Sequence, residues 1–222
     1  MKAVIFDKDG VLVETFNLHF ESYIKILSKI GVKIEKIDLI KSYGMKPPEI
    51  IKRMMEGKGR KITERLAKKL AEKKEEYYVK IAEKKLKLLP GVKKLLIYFK
   101  KKKYKIGLAS SASKKGIEQL MKVTKIKKYF DATINGFEVK FSKPNPEIFL
   151  KCAKKLKVKP EECVVIEDSI HGIKAAKRAN MKCIAVATGQ HSKKELKKEK
   201  PDLLLDSLEE FNKILSFLDS SS

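Results

Sequence analysis

The chain has 222 residues, 43% of which are hydrophobic, and a formal net charge of +24 because 52 Lys and Arg residues outnumber 28 Asp and Glu residues. This hydrophobic content is sufficient for a sizeable core, which excludes an intrinsically disordered chain. No apolar run approaches the roughly 20 residues that a membrane-spanning helix requires, and the N-terminus does not resemble a secretory signal. We therefore expect a cytoplasmic protein with no membrane partner.

The basic residues are spread over the whole chain. They lie on the polar faces of most predicted helices and form clusters at residues 100–103 and 193–200. A surface that binds single-stranded nucleic acid also needs aromatic side chains on which bases stack, and none is interleaved with these lysines. Abundant Lys and Glu at helical spacing, as in Glu64 and Lys68, is typical of thermophile surfaces. We therefore expect a solvated, heat-adapted surface and no nucleic-acid partner.

The three cysteines, Cys152, Cys163 and Cys183, lie in apolar stretches of the sequence. They are odd in number and have no Cys-x-x-Cys spacing, which disfavours both a metal site and a disulfide framework. We predict buried free thiols.

The N-terminal segment predicts a buried strand that ends at two carboxylates. An apolar run at residues 4–6 is followed by Asp7, Asp9 and Gly10. An aspartate at this place can attack phosphorus, while a neighbouring acid protonates the leaving oxygen and later deprotonates water. Two such acids are also the oxygen ligands that Mg²⁺ prefers. Because Asp-x-Asp-Gly also fits a plain turn, the rest of the chain must decide between these interpretations.

A long helical region follows the first strand. Apolar residues have helical spacing over residues 16–30, and Gly31 is a plausible stop. The further helices are predicted at residues 37–43, 48–55 and 62–86. We predict no strand between residues 14 and 88.

The pattern changes after Pro90 and Gly91, where strands and helices alternate to the end of the chain. The strand candidates are residues 105–109, 132–134, 163–166, 183–187 and 202–205. Alternation of this kind implies a parallel sheet that is covered on both faces, and the first strand belongs to the same sheet. The helical region is then an insertion into the sheet domain.

The window FDKDGVLVET resembles the first signature of the haloacid dehalogenase superfamily, and three further signatures follow in the family's order. Lys8, where the family most often has an apolar residue, and Glu14, where it often has Asp, depart from the pattern. The subfamily that the chain resembles contains β-phosphoglucomutases and phosphoglycolate phosphatases. This resemblance implies an α/β fold, with a Rossmann-like parallel sheet core at residues 1–13 and 88–222 and an inserted all-helical cap at residues 14–87.

The second and third signatures are KIGLASSASKKG and FEVKFSKPNPEIF. In the second, Ser110 follows a predicted strand, where its hydroxyl and nearby amides can hold a phosphate oxygen. The adjacent Ser111 leaves a one-residue ambiguity, and Ser113 is predicted as the N-cap of the next helix. In the third, the resemblance makes Lys143 the basic residue that neutralises the nucleophile and the phosphoryl group. The sequence does not determine the isomer of its bond to Pro144.

The fourth signature is CVVIEDSIHGIKAAKRANM. An apolar run delivers Glu167 and Asp168 to a strand end, and the carboxyl ends of parallel strands are where such sheets bind ligands. The resemblance implies that Asp168 is a Mg²⁺ ligand, whereas Glu167 either binds the metal or orients it from outside.

The resemblance implies a complete reaction. Asp7 attacks phosphorus and forms an aspartyl-phosphate, and Asp9 protonates the leaving alcohol before it deprotonates water. Mg²⁺ is held by Asp7, the Asp9 carbonyl and Asp168, while Lys143 and Ser110 neutralise the phosphoryl oxygens. The implied substrate is a small phosphorylated metabolite.

Residues of the predicted cap bear on the phosphoryl acceptor. His19 and Lys74 match the pattern of β-phosphoglucomutase, in which the counterpart of His19 links Asp9 to cap closure. Pro47 replaces the mutase's phosphate-binding arginine, and Lys46 is a substitute only as a point charge. We therefore favour a phosphatase acting on a sugar phosphate or a phosphoglycolate-like ester, with a phosphosugar mutase as the alternative. A non-catalytic basic module that binds nucleic acid is the alternative of another class.

Overall fold

A computed structural model describes residues 1–42 and 45–220 of the chain. The strands are β1 (Ala3–Phe6), β2 (Lys105–Ala109), β3 (Ala132–Ile134), β4 (Cys163–Glu167), β5 (Lys182–Val186) and β6 (Leu203–Leu205). The helices before β2 are α1 (Phe16–Leu27), α2 (Lys36–Ile40), α3 (Pro47–Gly57), α4 (Glu64–Lys85) and α5 (Val92–Lys101). The later helices are α6 (Lys114–Thr124), α7 (Glu147–Leu156), α8 (Ile170–Arg178), α9 (Lys193–Lys198) and α10 (Phe211–Ser220). Short 3₁₀ turns lie at Ser28–Ile30, Lys127–Tyr129 and Pro160–Glu162.

The six strands form one sheet in the order β3-β2-β1-β4-β5-β6, and every pairing in it is parallel. The first strand lies between β2 and β4, with Phe6 opposite Leu108 on one side and Ile166 on the other. This register aligns the carboxyl ends of the three central strands. The predicted α/β fold with a Rossmann-like parallel sheet is confirmed.

Both faces of the sheet are covered by helices, which explains why the central strands are apolar throughout. Helices such as α5 and α10 pack on one face, where Phe99 and Ile214 are buried. On the other face lie α7 and α8, which contribute Phe149 and Ile173. The three cysteines are free and buried, as predicted.

Helices α1 to α4 lie between β1 and β2, and we call residues 14–87 the cap segment. It has a hydrophobic cluster of its own, in which α1, α3 and α4 bury side chains such as Leu27, Ile51 and Leu70. The helices predicted at 16–30, 48–55 and 62–86 correspond to α1 with its 3₁₀ turn, α3 and α4. The helix predicted at 37–43 is the shorter α2, and its predicted end at Tyr43 lies outside the described residues, as does Gly44.

The chain leaves the sheet domain and returns to it at neighbouring positions. Val13 and Leu88 form an isolated antiparallel bridge, and the Leu89 amide donates to the Leu12 carbonyl at 2.9 Å. Within the described residues no strand lies between 14 and 88, as predicted. No described helix combines the length and the apolar character that crossing a membrane requires.

Candidate active site

Three of the predicted site residues lie at the carboxyl edge of the sheet because the strands that precede them are parallel and in register. Asp7 follows β1, Ser110 follows β2, and Asp168 follows β4, whose last residue is Glu167. All four side chains are buried, with at most 7% of their surface exposed. This edge of the sheet therefore brings carboxylates and a hydroxyl together in a site that is almost fully buried from solvent.

Lys143 is the cation that balances these acids. Its Nζ lies 2.7 Å from Asp7 Oδ1 and 2.5 Å from Glu167 Oε1, and the side chain is buried. Burial alone would lower the pKa of Lys143, but Asp7 and then Glu167 raise it above its usual value, so the ammonium stays charged. The Lys143–Pro144 bond, whose isomer the sequence left open, is cis.

Asp7, Glu167 and Asp168 form a group whose ligand oxygens lie within 4.8 Å of one another. Asp168 Oδ2 is buried and, within the described residues, has no hydrogen-bond partner. In contrast, Glu167 accepts a hydrogen bond from Lys143 at Oε1 and hydrogen bonds from the backbone amides of Asp168 and Ser169 at Oε2. An orphaned buried carboxylate oxygen beside a second carboxylate fits a divalent cation. The geometry favours Asp7 and Asp168 as ligands, with Glu167 in the orienting role that the sequence left open.

The same crowding shifts the pKa values of the acids. Burial raises the pKa of Asp7, Lys143 lowers it, and Glu167 and Asp9 raise it again, so that it reaches about 7. The pKa of Asp168 lies well above its usual value because of burial, Glu167 and Asp7. A divalent cation at this place would therefore displace protons from the site at neutral pH.

A pH dependence of metal binding follows from these shifts. Below about pH 7 the raised pKa leaves Asp7 largely protonated, and the raised pKa of Asp168 acts in the same direction, so that protons compete with the cation. We expect the Mg²⁺ affinity to rise with pH between about pH 6 and pH 7, by about tenfold per pH unit for the proton displaced from Asp7. Calorimetric titrations at several pH values measure this, and an affinity that does not change over that range would contradict the assignment.

Two glycines make room for the acids that end β4. A Cβ on Gly189 would lie 1.8 Å from Asp168 Oδ2, and a Cβ on Gly172 would lie 1.8 Å from the Glu167 carboxylate. Larger residues at either position would push a carboxylate out of the cluster.

Replacing Gly189 with Ala is expected to weaken Mg²⁺ binding by about tenfold or more, because Asp168 must move to accommodate the methyl group. The matched control is Gly57→Ala, since a Cβ on Gly57 would meet nothing within 4 Å. Calorimetry of both variants compares their affinities. Equal affinities for Mg²⁺ would show that Asp168 does not hold the cation.

Three side chains contact one carboxylate oxygen of Asp9, Oδ1. Lys8 Nζ and Thr15 Oγ1 each lie 2.5 Å from Asp9 Oδ1, and His19 Nε2 lies 3.4 Å from the same oxygen. Burial by itself would raise the pKa of Asp9, but Lys8 and then His19 lower it well below its usual range. The side chain lines the cavity that lies between the sheet edge and the cap segment.

Ser110 and Ser111 both line that cavity, so the ambiguity between them stays open. The Ser110 hydroxyl accepts the Ala112 amide at 3.2 Å. Ser113 accepts the Gly116 amide at 3.0 Å and is the N-cap of α6, as predicted.

The cap residues predicted to bind substrate divide into two groups. Lys74 is buried, its Nζ lies 2.7 Å from His19 Nδ1, and both residues line the cavity. Lys46 instead donates to the Val139 carbonyl at 2.6 Å and does not line this cavity. Substrate binding by Lys46 stays a prediction, and it requires that the Lys46 ammonium break its hydrogen bond with the Val139 carbonyl.

Sequence reasoning missed three residues of the site. Lys8 was noted only as a departure from the family pattern, yet its side chain is fully buried beside Asp9 and the Tyr78 hydroxyl. Glu75 receives a 2.6 Å hydrogen bond from the Ser113 hydroxyl, which links the cap segment to α6. His191 is only 8% exposed and hydrogen-bonds to the Asp168 backbone.

The family model of haloacid dehalogenase-like hydrolases matches residues 4–186, and the chain belongs to this family. It is accordingly an enzyme, a haloacid dehalogenase-like phosphohydrolase.

The chain is 35% identical over 185 residues to a phosphorylated carbohydrates phosphatase from Thermotoga maritima, covering 83% of this chain and 84% of that protein. It is 33% identical over 194 residues to the β-phosphoglucomutase of Bacillus subtilis, covering 86% and 85% of the two chains. Among solved structures, a β-phosphoglucomutase from Clostridium difficile superposes with a TM-score of 0.89 at 33% identity, over 99% of this chain and 98% of that one. The relatives thus include both of the activities that the sequence left open.

Proposed function

We propose that this enzyme is a Mg²⁺-dependent phosphatase that hydrolyses a small sugar phosphate or phosphoglycolate-like ester through an aspartyl-phosphate on Asp7. The observation that carries the proposal is the buried contact of Asp7 with Lys143 at 2.7 Å, beside the orphaned oxygen of Asp168. A carboxylate held against a cation in a dry site is arranged for attack on an anionic phosphoryl group.

The proposed reaction has two displacement steps, in which the side chains of the site have different roles. Asp7 attacks phosphorus, and the bond from phosphorus to the leaving oxygen breaks as that oxygen takes a proton from Asp9. Asp9 must therefore enter this step protonated, although Lys8 and His19 lower its pKa in the free enzyme. Water then attacks the aspartyl-phosphate while Asp9 takes its proton, which releases phosphate and restores the Asp7 carboxylate. Lys143 and the serine hydroxyls stabilise charge on the phosphoryl oxygens. Mg²⁺, when held by Asp7 and Asp168, would add Lewis-acid stabilisation of the same charge.

The residues that line the cavity favour a phosphatase over a mutase. A mutase must retain a sugar bisphosphate, whose second phosphate needs a cation of its own. Among the described residues, the cations that line the cavity are Lys8, which pairs with Asp9, and Lys74, which contacts His19 and Glu75. The adjacent cap wall is apolar and includes Pro47, Leu39 and Ile50. A bisphosphate would find little to hold it there, and water is then the favoured acceptor.

The mutase remains the second candidate because His19 and Lys74 match the pattern of β-phosphoglucomutase and lie 2.7 Å apart. The similarity to the β-phosphoglucomutases from Bacillus subtilis and Clostridium difficile supports this candidate as well.

Phosphate release from a panel of sugar phosphates and phosphoglycolate, with and without Mg²⁺, tests the proposal. β-Glucose 1-phosphate is assayed in parallel for glucose 6-phosphate. We expect Mg²⁺-dependent release of inorganic phosphate from one class of ester. Glucose 6-phosphate formed without free phosphate would establish the mutase instead.

A further inference from the structure

Lys8 stands between the two acids of the first loop, Asp7 and Asp9. Asp7 and Asp9 both line the cavity, and the Lys8 side chain, fully buried, reaches from the loop to α4 of the cap segment. Its Nζ lies 2.5 Å from Asp9 Oδ1 and 3.3 Å from the Tyr78 hydroxyl, and it stands 5.2 Å from the centroid of the Tyr78 ring. A buried ammonium is costly unless it is paired and hydrogen-bonded, and Lys8 has both kinds of contact.

Three donors converge on Oδ1 of Asp9, and they differ in kind. Thr15 is a neutral hydroxyl. His19 faces the Lys74 ammonium with Nδ1 at 2.7 Å, so its ring accepts there and is a neutral donor from Nε2, which lies 3.4 Å from Asp9. Lys8 is therefore the charged partner among the three, and its contact is as short as that of Thr15.

The consequence for Asp9 is geometric. None of these three contacts uses Oδ2, and Asp9 lines the cavity, so we assign Oδ2 to the reacting atoms. The Tyr78 ring stacks on His19 with centroids 4.2 Å apart, so one aromatic residue of α4 touches both Lys8 and His19. The contacts of Tyr78 with Lys8 and His19, and through them the orientation of Asp9, therefore require that α4 packs against the first loop.

We propose that Lys8 is a positioning residue that holds Asp9 as an oriented carboxylate for the hydrolysis of the aspartyl-phosphate, with Tyr78 securing the lysine from the cap segment. This inference rests on the proposed function. In the step concerned, Oδ2 of Asp9 takes a proton from water as the water oxygen bonds to phosphorus and the bond from phosphorus to Asp7 breaks. Lys8 keeps its protons throughout.

The test uses p-nitrophenyl phosphate, because nitrophenolate leaves without a proton from Asp9 and the second step can then be followed alone. In Lys8→Met, which keeps the length of the chain without the charge, we expect kcat to fall by about 10- to 100-fold through misplacement of Asp9. We expect kcat/KM, which reports the first step, to change by less than about threefold. Rapid mixing should show a burst of nitrophenolate followed by slow turnover, as the phosphorylated enzyme accumulates.

Two further variants complete the experiment. Tyr78→Phe removes the hydroxyl that Lys8 contacts but keeps the ring, and we expect a smaller fall of kcat in the same direction, by about 3- to 10-fold. Lys122→Met is the matched control, because Lys122 is 71% exposed and pairs with Glu83 on the surface, and it should behave as the wild type.

The outcomes separate the inference from the proposed function. An unchanged kcat in Lys8→Met, or a fall of kcat and kcat/KM together without a burst, would overturn the role of Lys8. If Lys8→Met does not fold, an unchanged kcat in Tyr78→Phe has the same meaning. A wild-type enzyme that never forms a phosphorylated intermediate would instead overturn the proposed function itself.

Discussion

Asp7→Asn is expected to lower kcat for phosphate release by at least about 10³-fold, because an amide cannot form the aspartyl-phosphate. The measurement is steady-state phosphate release with saturating Mg²⁺ and the best ester of the panel. Asp206→Asn is the matched control, since that carboxylate is 70% exposed and pairs with the surface residue Lys193. Residual activity within about tenfold of the wild type would remove Asp7 from the role of nucleophile.

We do not expect Asp7→Asn to destabilise the folded protein, so that its loss of activity can be distinguished from a loss of folding. The pKa of Asp7 is raised from 3.8 to about 7 by burial above all. The folded metal-free protein therefore binds more protons than the unfolded chain between these values, and its stability falls as the pH rises through them. We expect Asp7→Asn to melt at or above the wild-type temperature at about pH 8 without Mg²⁺, and to lose most of the stabilisation by the cation.

Lys143→Met is expected to lower kcat/KM by about 10²- to 10³-fold, because the preorganised charge that faces the phosphoryl oxygens is removed. It should also destabilise the metal-free protein by about 3–5 kcal/mol, because Asp7 and Glu167 then face each other uncompensated. Enzyme kinetics and thermal melts measure the two effects, with Lys122→Met as the exposed control.

Two results would contradict this role of Lys143. One is activity within tenfold of the control, as an order-of-magnitude criterion. The other is a variant whose loss of activity is fully explained by unfolding at the assay temperature. Added Mg²⁺ should restore part of the lost stability, since the cation substitutes for the missing positive charge.

The sequence was sufficient to predict the sheet and the acids at its edge. Short apolar runs that lead directly into Asp7 and Glu167 are strong local signals, and a parallel sheet brings such ends together whatever the intervening chain does. Lys143 was singled out by the prolines around it. These positions depend on strand register, which local sequence determines well.

The contacts between the cap segment and the core could not be predicted in the same way. The direction of Lys46 depends on where the loop at Val139 lies, and the burial of Lys8 depends on how α4 packs over the first loop. The bond between Glu75 and Ser113 joins residues 38 positions apart. Such contacts are set by tertiary packing of long, flexible side chains, for which periodicity and spacing contain no signal.

The central claim is that a phosphoryl group becomes bonded to the Asp7 carboxylate during turnover. The most direct measurement quenches the enzyme during turnover, reduces acyl phosphates with borohydride and maps the peptides by mass spectrometry. Reduction converts a phosphorylated aspartate to homoserine, and we expect homoserine at position 7 only in the presence of substrate and Mg²⁺. Homoserine at another position, or unmodified Asp7 while phosphate is being released, would contradict the account.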